Sequence, residues 1–224
     1  MNTLINLVVN NDGGLTVLGY VLCIALAIAA LVLAIIFSKK SSNKYGARSL
    51  AVCSACLALA FVLSFVKVLP MPFGGSVTLC SMLFISLAGY FYGIRTGLLI
   101  GFVYGIMQFL QGPYILSLFQ VLCDYLLAFT CLGLSGLFAG KKHGLTIGYL
   151  VAVVGRAVFH SLGGYLYWMD YMPDDFPKAL AFGYPIIYNF SFILAEAVIT
   201  IIIINLPPVK KGIAQAKSIA RGNQ

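Results

Sequence analysis

Seven apolar runs, separated by charge, glycine or proline, set the terms for this chain: residues 15–38, 49–69, 77–93, 97–111, 115–139, 145–168 and 181–206. A bilayer core of roughly 30 Å takes about 20 helical residues to cross. The runs therefore predict transmembrane helices with short connections, and 77–93 and 97–111 form a shorter pair sharing the turn "YGIRTG". Only 9% of residues are charged and 61% are hydrophobic, with a mean hydropathy of +1.00. That balance excludes a soluble globular domain and leaves little room for a soluble catalytic one. The expected fold class is an all-α integral membrane protein. Its first run has no basic segment ahead of it, follows Asp12 and outlasts a signal-peptide core, so it reads as a retained helix.

Charge sets the expected orientation. Lys and Arg collect in "SKKSSNKYGAR", at Arg95, in "AGKKHG" and in "PPVKKGIAQAKSIARGNQ", which all fall on one side if the runs alternate. The opposite connections, "LPMPFGGS", "LQGPY" and "WMDYMPDDFPKA", together hold one lysine. The positive-inside rule then places the N-terminus outside and the C-terminus in the cytoplasm of a multi-pass cell-membrane protein. Lys67 is the awkward charge, near the outer end of the second run, where its long stem can snorkel. The net charge of +8 is accounted for by topology before nucleic acid, and the basic tail 208–224 reads as a solvated anchor at the lipid surface. Six cysteines lie in or beside apolar runs, as small buried thiols do. "CSAC" lacks the second Cys or His pair of a metal site, so no metal or cofactor is expected.

Ionisable side chains inside hydrocarbon cost several kcal/mol and need a partner or a cavity. Four lie well inside: Asp124, Arg156, His160 and Glu196. Counting about 1.5 Å per residue, Asp124 sits roughly 15 Å inward of Tyr114, His160 roughly 12 Å below Trp168, and Asn189 roughly 12 Å below Ala181. Three helices thus bring polar groups to a similar depth in the outer half of the membrane. His160, Gly164 and Trp168, at i, i+4 and i+8, share one helix face and suit one wall of a small-molecule pocket. Tyr114, Tyr125, Tyr184 and Trp168 are candidates for an aromatic cage, which favours a flat or cationic ligand. Arg156 lies one turn deeper, where it reads as neutralising Asp124 or Glu196, with Glu196 the expected partner. On the second run, Ala51, Ala55 and Ala58 make a small-residue ridge that lets another helix approach closely, within this chain or from a partner.

From about Ser49 onward the chain resembles the thiamin-specific S component of energy-coupling factor (ECF) vitamin transporters. The resemblance is carried by "GGSV", "YGIRTGLLIGFVYGIMQFLQGPYILSLFQVLCDYLLAF", "FHSLGGYLYW" and "YPIIYN". It implies a six-helix substrate-binding membrane domain over 49–207, preceded by an extra transmembrane helix and basic loop in 1–48 and followed by the tail 208–224. It also implies a transport subunit with no ATPase activity, capturing thiamin at the outer face for ATP-driven uptake. The implied partners are a transmembrane coupling subunit and two cytoplasmic ATPases, within membrane lipid and without nucleic acid. By residue, the resemblance implies that Tyr114 and Tyr125 line the site and that Asp124 is the acid contacting the ligand. His160, Gly164 and Trp168 match its ring-binding face, Tyr184 and Asn189 its hydrogen-bonding pair, and Ala51 and Ala55, extended by Ala58, its docking ridge. The chain departs from the pattern in having Asp124 where a Glu is familiar, no tryptophan near Gly75, and the first span. A site for a thiamin precursor or another vitamin is the alternative within this class. A membrane enzyme using His160 and Asp124 as acid and base is the alternative outside it, though GxSxG and HExxH are absent. A channel would want a polar stripe through the whole membrane.

Overall fold

The computed structural model describes residues 16–19, 21, 25, 46–71 and 74–222. The span expected at 15–38 and the outside placement of the N-terminus fall almost wholly outside the described residues. The elements are helix α1 (Gly46–Ser64), a hairpin of β1 (Lys67–Pro70) and β2 (Ser76–Thr78), α2 (Ser81–Tyr92), α3 (Ile94–Gln111), α4 (Leu118–Phe138), α5 (Gly144–Tyr167), α6 (Tyr184–Asn205) and α7 (Pro207–Arg221). Among the described residues, α1, α3, α4, α5 and the segment Lys178–Asn205 are long and apolar enough to cross a membrane; Ser81–Tyr92 is a shorter apolar helix.

Local chemistry places the breaks. Ser117 caps α4 by accepting from Gln120 N at 3.1 Å. Prolines open α6 and α7, where a missing N–H costs nothing. Gly93, at φ +92°, makes the turn between α2 and α3 that a side chain would strain.

The second apolar run ends as a helix at Ser64, five residues short of the expected 69, and the chain turns into the antiparallel hairpin. Lys67 consequently sits in a strand and not on a helix. α2 spans only about 18 Å, and the hairpin precedes it with non-helical backbone. Such backbone survives at membrane depth where it lines a cavity, and Lys67, Gly74, Gly75, Ser76 and Thr78 do so.

α3 and α4 touch almost backbone to backbone. Gly97, Gly101 and Gly105 are stacked one turn apart, and a Cβ on each would come within 2.5–2.6 Å of the carbonyl oxygens of Gly133, Phe129 and Tyr125. This is the small-residue packing that membrane helices use in place of a hydrophobic driving force. Against this ridge α4 abandons regular α geometry: it is a π-helix over Leu122–Leu127 and a 3₁₀-helix over Cys131–Phe138. The wide π turn carries Asp124 and Tyr125.

Glu196 is 2% exposed, and it has a different role from the one its spacing suggested. Its carboxylate accepts from Thr78 N at 3.0 Å, Thr78 Oγ1 at 2.7 Å, Ser81 Oγ at 3.4 Å and Met82 N at 3.3 Å. It thereby supplies negative charge to the N-terminus of α2, where the helix leaves N–H groups unpaired, and ties the root of the hairpin to α6. Arg156 lies beyond 4.0 Å of its carboxylate; among the described residues the contact within 4.0 Å between a basic side chain and a carboxylate is that of the His160 imidazole with Asp124.

The tail, expected as a solvated anchor, forms a helix docked on the bundle. In α7, Lys217 Nζ donates to Ala139 O at 2.8 Å and Arg221 Nε to Phe91 O at 3.1 Å, while Tyr92 Oη donates to Ala220 O at 3.2 Å. These contacts gather the ends of α2, α4 and α7 at the end of the bundle opposite the cavity.

Candidate functional site

At the other end, a cavity of about 610 Å³ opens between the helices, a volume typical of small-molecule sites. All eight residues singled out as ligand-binding candidates line it: Tyr114, Asp124, Tyr125, His160, Gly164, Trp168, Tyr184 and Asn189. They reach it from α4, α5, α6 and the loop before α4.

His160 is where three helices meet. Its Nδ1 lies 3.6 Å from Asp124 Oδ1, its Nε2 accepts from Arg156 Nε at 3.3 Å, and its backbone oxygen accepts from Asn189 Nδ2 at 3.2 Å. This arrangement suits the neutral imidazole with its proton on Nδ1. Asp124 Oδ2 accepts from Gln120 Nε2 at 2.8 Å and Trp168 Nε1 at 3.1 Å. A carboxylate offers about four acceptor positions, so Asp124 keeps capacity facing the cavity. Asn189 Nδ2 also donates to Pro185 O at 2.9 Å, which turns its Oδ1 toward other donors.

Two glycines make this convergence sterically possible. A Cβ at Gly163 would stand 2.3 Å from Asp124 Oδ1, and one at Gly164 would stand 2.7 Å from Pro185 Cβ. Gly163 lets the acid of α4 press against α5; Gly164 lets α6 do the same from the other side.

The aromatic groups divide into two sets. Trp168 is flanked by Tyr114 (ring centroids 4.9 Å, 35°) and Tyr171 (5.1 Å, 53°), whose hydroxyls share a hydrogen bond of 3.0 Å. Tyr125 Oη donates to Gly112 O at 2.9 Å and accepts from Tyr114 N at 3.2 Å, fixing the loop that carries Tyr114. Tyr184 packs instead on Phe176 and Tyr188, at 5.0 Å and 6.0 Å. At Gly75, which accepts no side chain, Tyr188 Oη takes the backbone N–H at 3.2 Å and would lie 2.6 Å from a Cβ. A tyrosine from α6 therefore fills the space next to Gly75.

Sequence reasoning missed Gln120, Gly163, Tyr171 and Tyr188. Gln120 was findable, since it lies four residues before Asp124 on a helix. Tyr171 sits in the same aromatic "YWMDY" stretch as Trp168. The remaining two depend on how α5 and α6 pack. Arg156, read as structural, also lines the cavity and lies 4.5 Å over the Phe129 ring. The ridge residues Ala51, Ala55 and Ala58 are all exposed, on the outer face of α1. Cys53 and Cys56 are buried free thiols, and no cluster of metal-ligating side chains occurs among the described residues.

A helical bundle with several spans and one aromatic, polar-lined cavity at one end defines the class: a multi-pass membrane protein built to hold a small molecule. The profile of the family described as "Thiamine transporter protein (Thia_YuaJ)" matches residues 50–215, and the chain belongs to that family, one of transport proteins and not of enzymes. It is 29% identical over 157 residues to "Thiamine transporter ThiT" of Bacillus subtilis (strain 168), covering 62% of this chain and 77% of that one. The solved structure of ThiT from Listeria monocytogenes superposes with a TM-score of 0.55 at 22% identity, over 71% of this chain and 94% of that one, and so has the same fold.

Proposed function

We propose that the chain is the thiamin-binding S component of an ECF-type transporter, taking thiamin from the outer face of the cell membrane for ATP-driven uptake. The observation that carries this reading is the convergence of Asp124, His160, Asn189 and Trp168 on one cavity in a member of a thiamine transporter family. Thiamin joins an aminopyrimidine, with donor and acceptor edges, to a cationic thiazolium. Asp124 and the Asn189 carbonyl are acceptors for the amine, and the faces of Trp168, Tyr114 and His160 suit the cation.

In this reading the basic connections and α7 face the cytoplasm, as the positive-inside rule requires, and the cavity opens outward. ATP hydrolysis belongs to two separate cytoplasmic subunits. The outward-facing Ala51, Ala55 and Ala58 form the contact for the transmembrane coupling subunit, because small residues let a partner helix lie close.

Calorimetric titration of the purified protein tests the ligand. Saturable one-to-one binding of thiamin is expected, together with thiamin detected by mass spectrometry in protein from cells grown with the vitamin. No heat and no co-purified thiamin would reject the reading. For the partner, Ala55→Trp is expected to reduce co-purification with the coupling subunit; undiminished recovery removes the docking role.

A further inference from the structure

His160 meets a different kind of neighbour at each ring nitrogen. Its Nε2 faces Arg156 Nε at 3.3 Å, and its Nδ1 faces Asp124 Oδ1 at 3.6 Å. The rings of Phe129 and Phe192 stand edge-on to the imidazole, with centroids at 6.0 Å and 6.4 Å. Arg156 is itself buried, its guanidinium 4.5 Å over the Phe129 ring. A guanidinium has five donors, no acceptor and a charge it keeps at any pH a protein survives. Against it Nε2 can only accept, which leaves the proton of the neutral ring on Nδ1, toward the carboxylate. An imidazolium would set two N–H donors head to head and two cations side by side inside the bundle, where neither is tolerated cheaply.

This lock decides the charge of the cavity wall. Arg156 feels the buried Glu196 carboxylate, and the two offset each other. Lys67 stands exposed at the rim, in a high dielectric. With His160 neutral, Asp124 keeps a negative charge that no buried cation among the described residues cancels. With His160 protonated, an internal ion pair would cancel it, and a cationic ligand would have to displace a proton to use it.

We propose that Arg156 is a positioning residue for the ligand site: it holds His160 as the neutral Nδ1–H tautomer, so that the charge of Asp124 stays available to a cationic ligand as the pH falls. The identity of that cation rests on the thiamin reading; the tautomer does not. The titratable or charged groups around the ring are Asp124 from α4, Glu196 from α6, Tyr104 from α3, and Arg156 and Tyr149 on α5 itself. Phenols ordinarily titrate at about pH 10, well above the imidazole range.

Two measurements on the full chain test this. The chain has two histidines, His143 and His160, so nitrogen NMR spectra of protein with isotope-labelled imidazoles, assigned with His160→Gln, report the His160 ring directly. The wild type at about pH 6 is expected to show a neutral ring protonated on Nδ1. An imidazolium, or the Nε2–H tautomer, overturns the role before any ligand is added. Titration with thiamin from about pH 6 to about pH 8, either side of the ordinary imidazole value of about 6.5, gives the functional readout. The wild type and Arg156→Lys, which keeps a cationic donor, are expected to hold Kd constant. Arg156→Met is expected to bind about tenfold more weakly at the acid end than at the alkaline end, because a proton must leave His160 on binding. In Arg156→Met/His160→Gln that dependence disappears. A flat profile for folded Arg156→Met overturns the role, and a dependence that survives in the double variant assigns the proton elsewhere and overturns it too. Where Arg156→Met does not fold, the wild-type spectrum and a pH-dependent or flat Arg156→Lys profile decide. A folded wild type that binds no thiamin at any pH rejects the thiamin reading and leaves the tautomer to the spectra.

Discussion

The two ends of the bundle treat polar groups in opposite ways. At the basic end, Lys217, Arg221 and Tyr92 each end on a carbonyl in the last turn or at the C-cap of a helix, the oxygens that helix geometry leaves without partners. Lys217 also covers the Tyr90 ring at 3.7 Å. These side chains close the structure. At the cavity end, Asp124 and Asn189 are held in place by neighbours while each keeps an acceptor unspent. Polar side chains thus serve the fold where their bonds are used up, and remain available to a ligand where they are not.

Substitutions at the two ends should therefore separate affinity from stability. The largest effect is expected for Asp124→Ala, which removes the acceptor and orphans the Trp168 and Gln120 donors: about 3 kcal/mol, on the order of a hundredfold in thiamin Kd. Calorimetry on folded protein checks it, and an unchanged Kd would place the ligand elsewhere. Trp168→Ala should cost about 1 to 3 kcal/mol through lost stacking and burial. Gly163→Ala touches no ligand in the proposed site, yet its Cβ displaces the carboxylate of Asp124, so about a tenfold loss of affinity is expected. Parent-like affinity there would mean that the position of Asp124 is not what matters. Lys217→Met should cost about 1 kcal/mol of stability, or about 2 to 4 °C in Tm, with thiamin Kd unmoved. If it shifts Kd as far as Gly163→Ala does, the two ends are coupled and the division fails.

Helix faces were legible in the sequence because they obey a local period. His160, Gly164 and Trp168 share a face by spacing alone, and depth counted along three helices brought Asp124 and Asn189 to the level of His160, where all three line the cavity. What could not be read depends on contacts between helices. The π turn at Leu122–Leu127 and the 3₁₀ stretch at Cys131–Phe138 lie against the glycine row of α3. The spacing "GLLIGFVYG" was the available signal for that close approach. Glu196 was assigned to Arg156 from its depth, but the hairpin and the first turn of α2 offer it two donors each, and only the fold shows that. The end of α1 at Ser64 was hidden by apolarity continuing through "FVKVLP", where β-branched residues and Pro70 mark the strand.

One consequence of the cavity wall is spectroscopic. The chain has a single tryptophan, Trp168, and its indole N–H is bonded to Asp124 while its ring lies against Tyr114 and Tyr171. Light absorbed at the red edge of the indole band bypasses the 13 tyrosines, so all of the emission that follows comes from this one wall. The intensity and wavelength of that emission are a label-free gauge of what occupies the cavity, readable in detergent or in a bilayer.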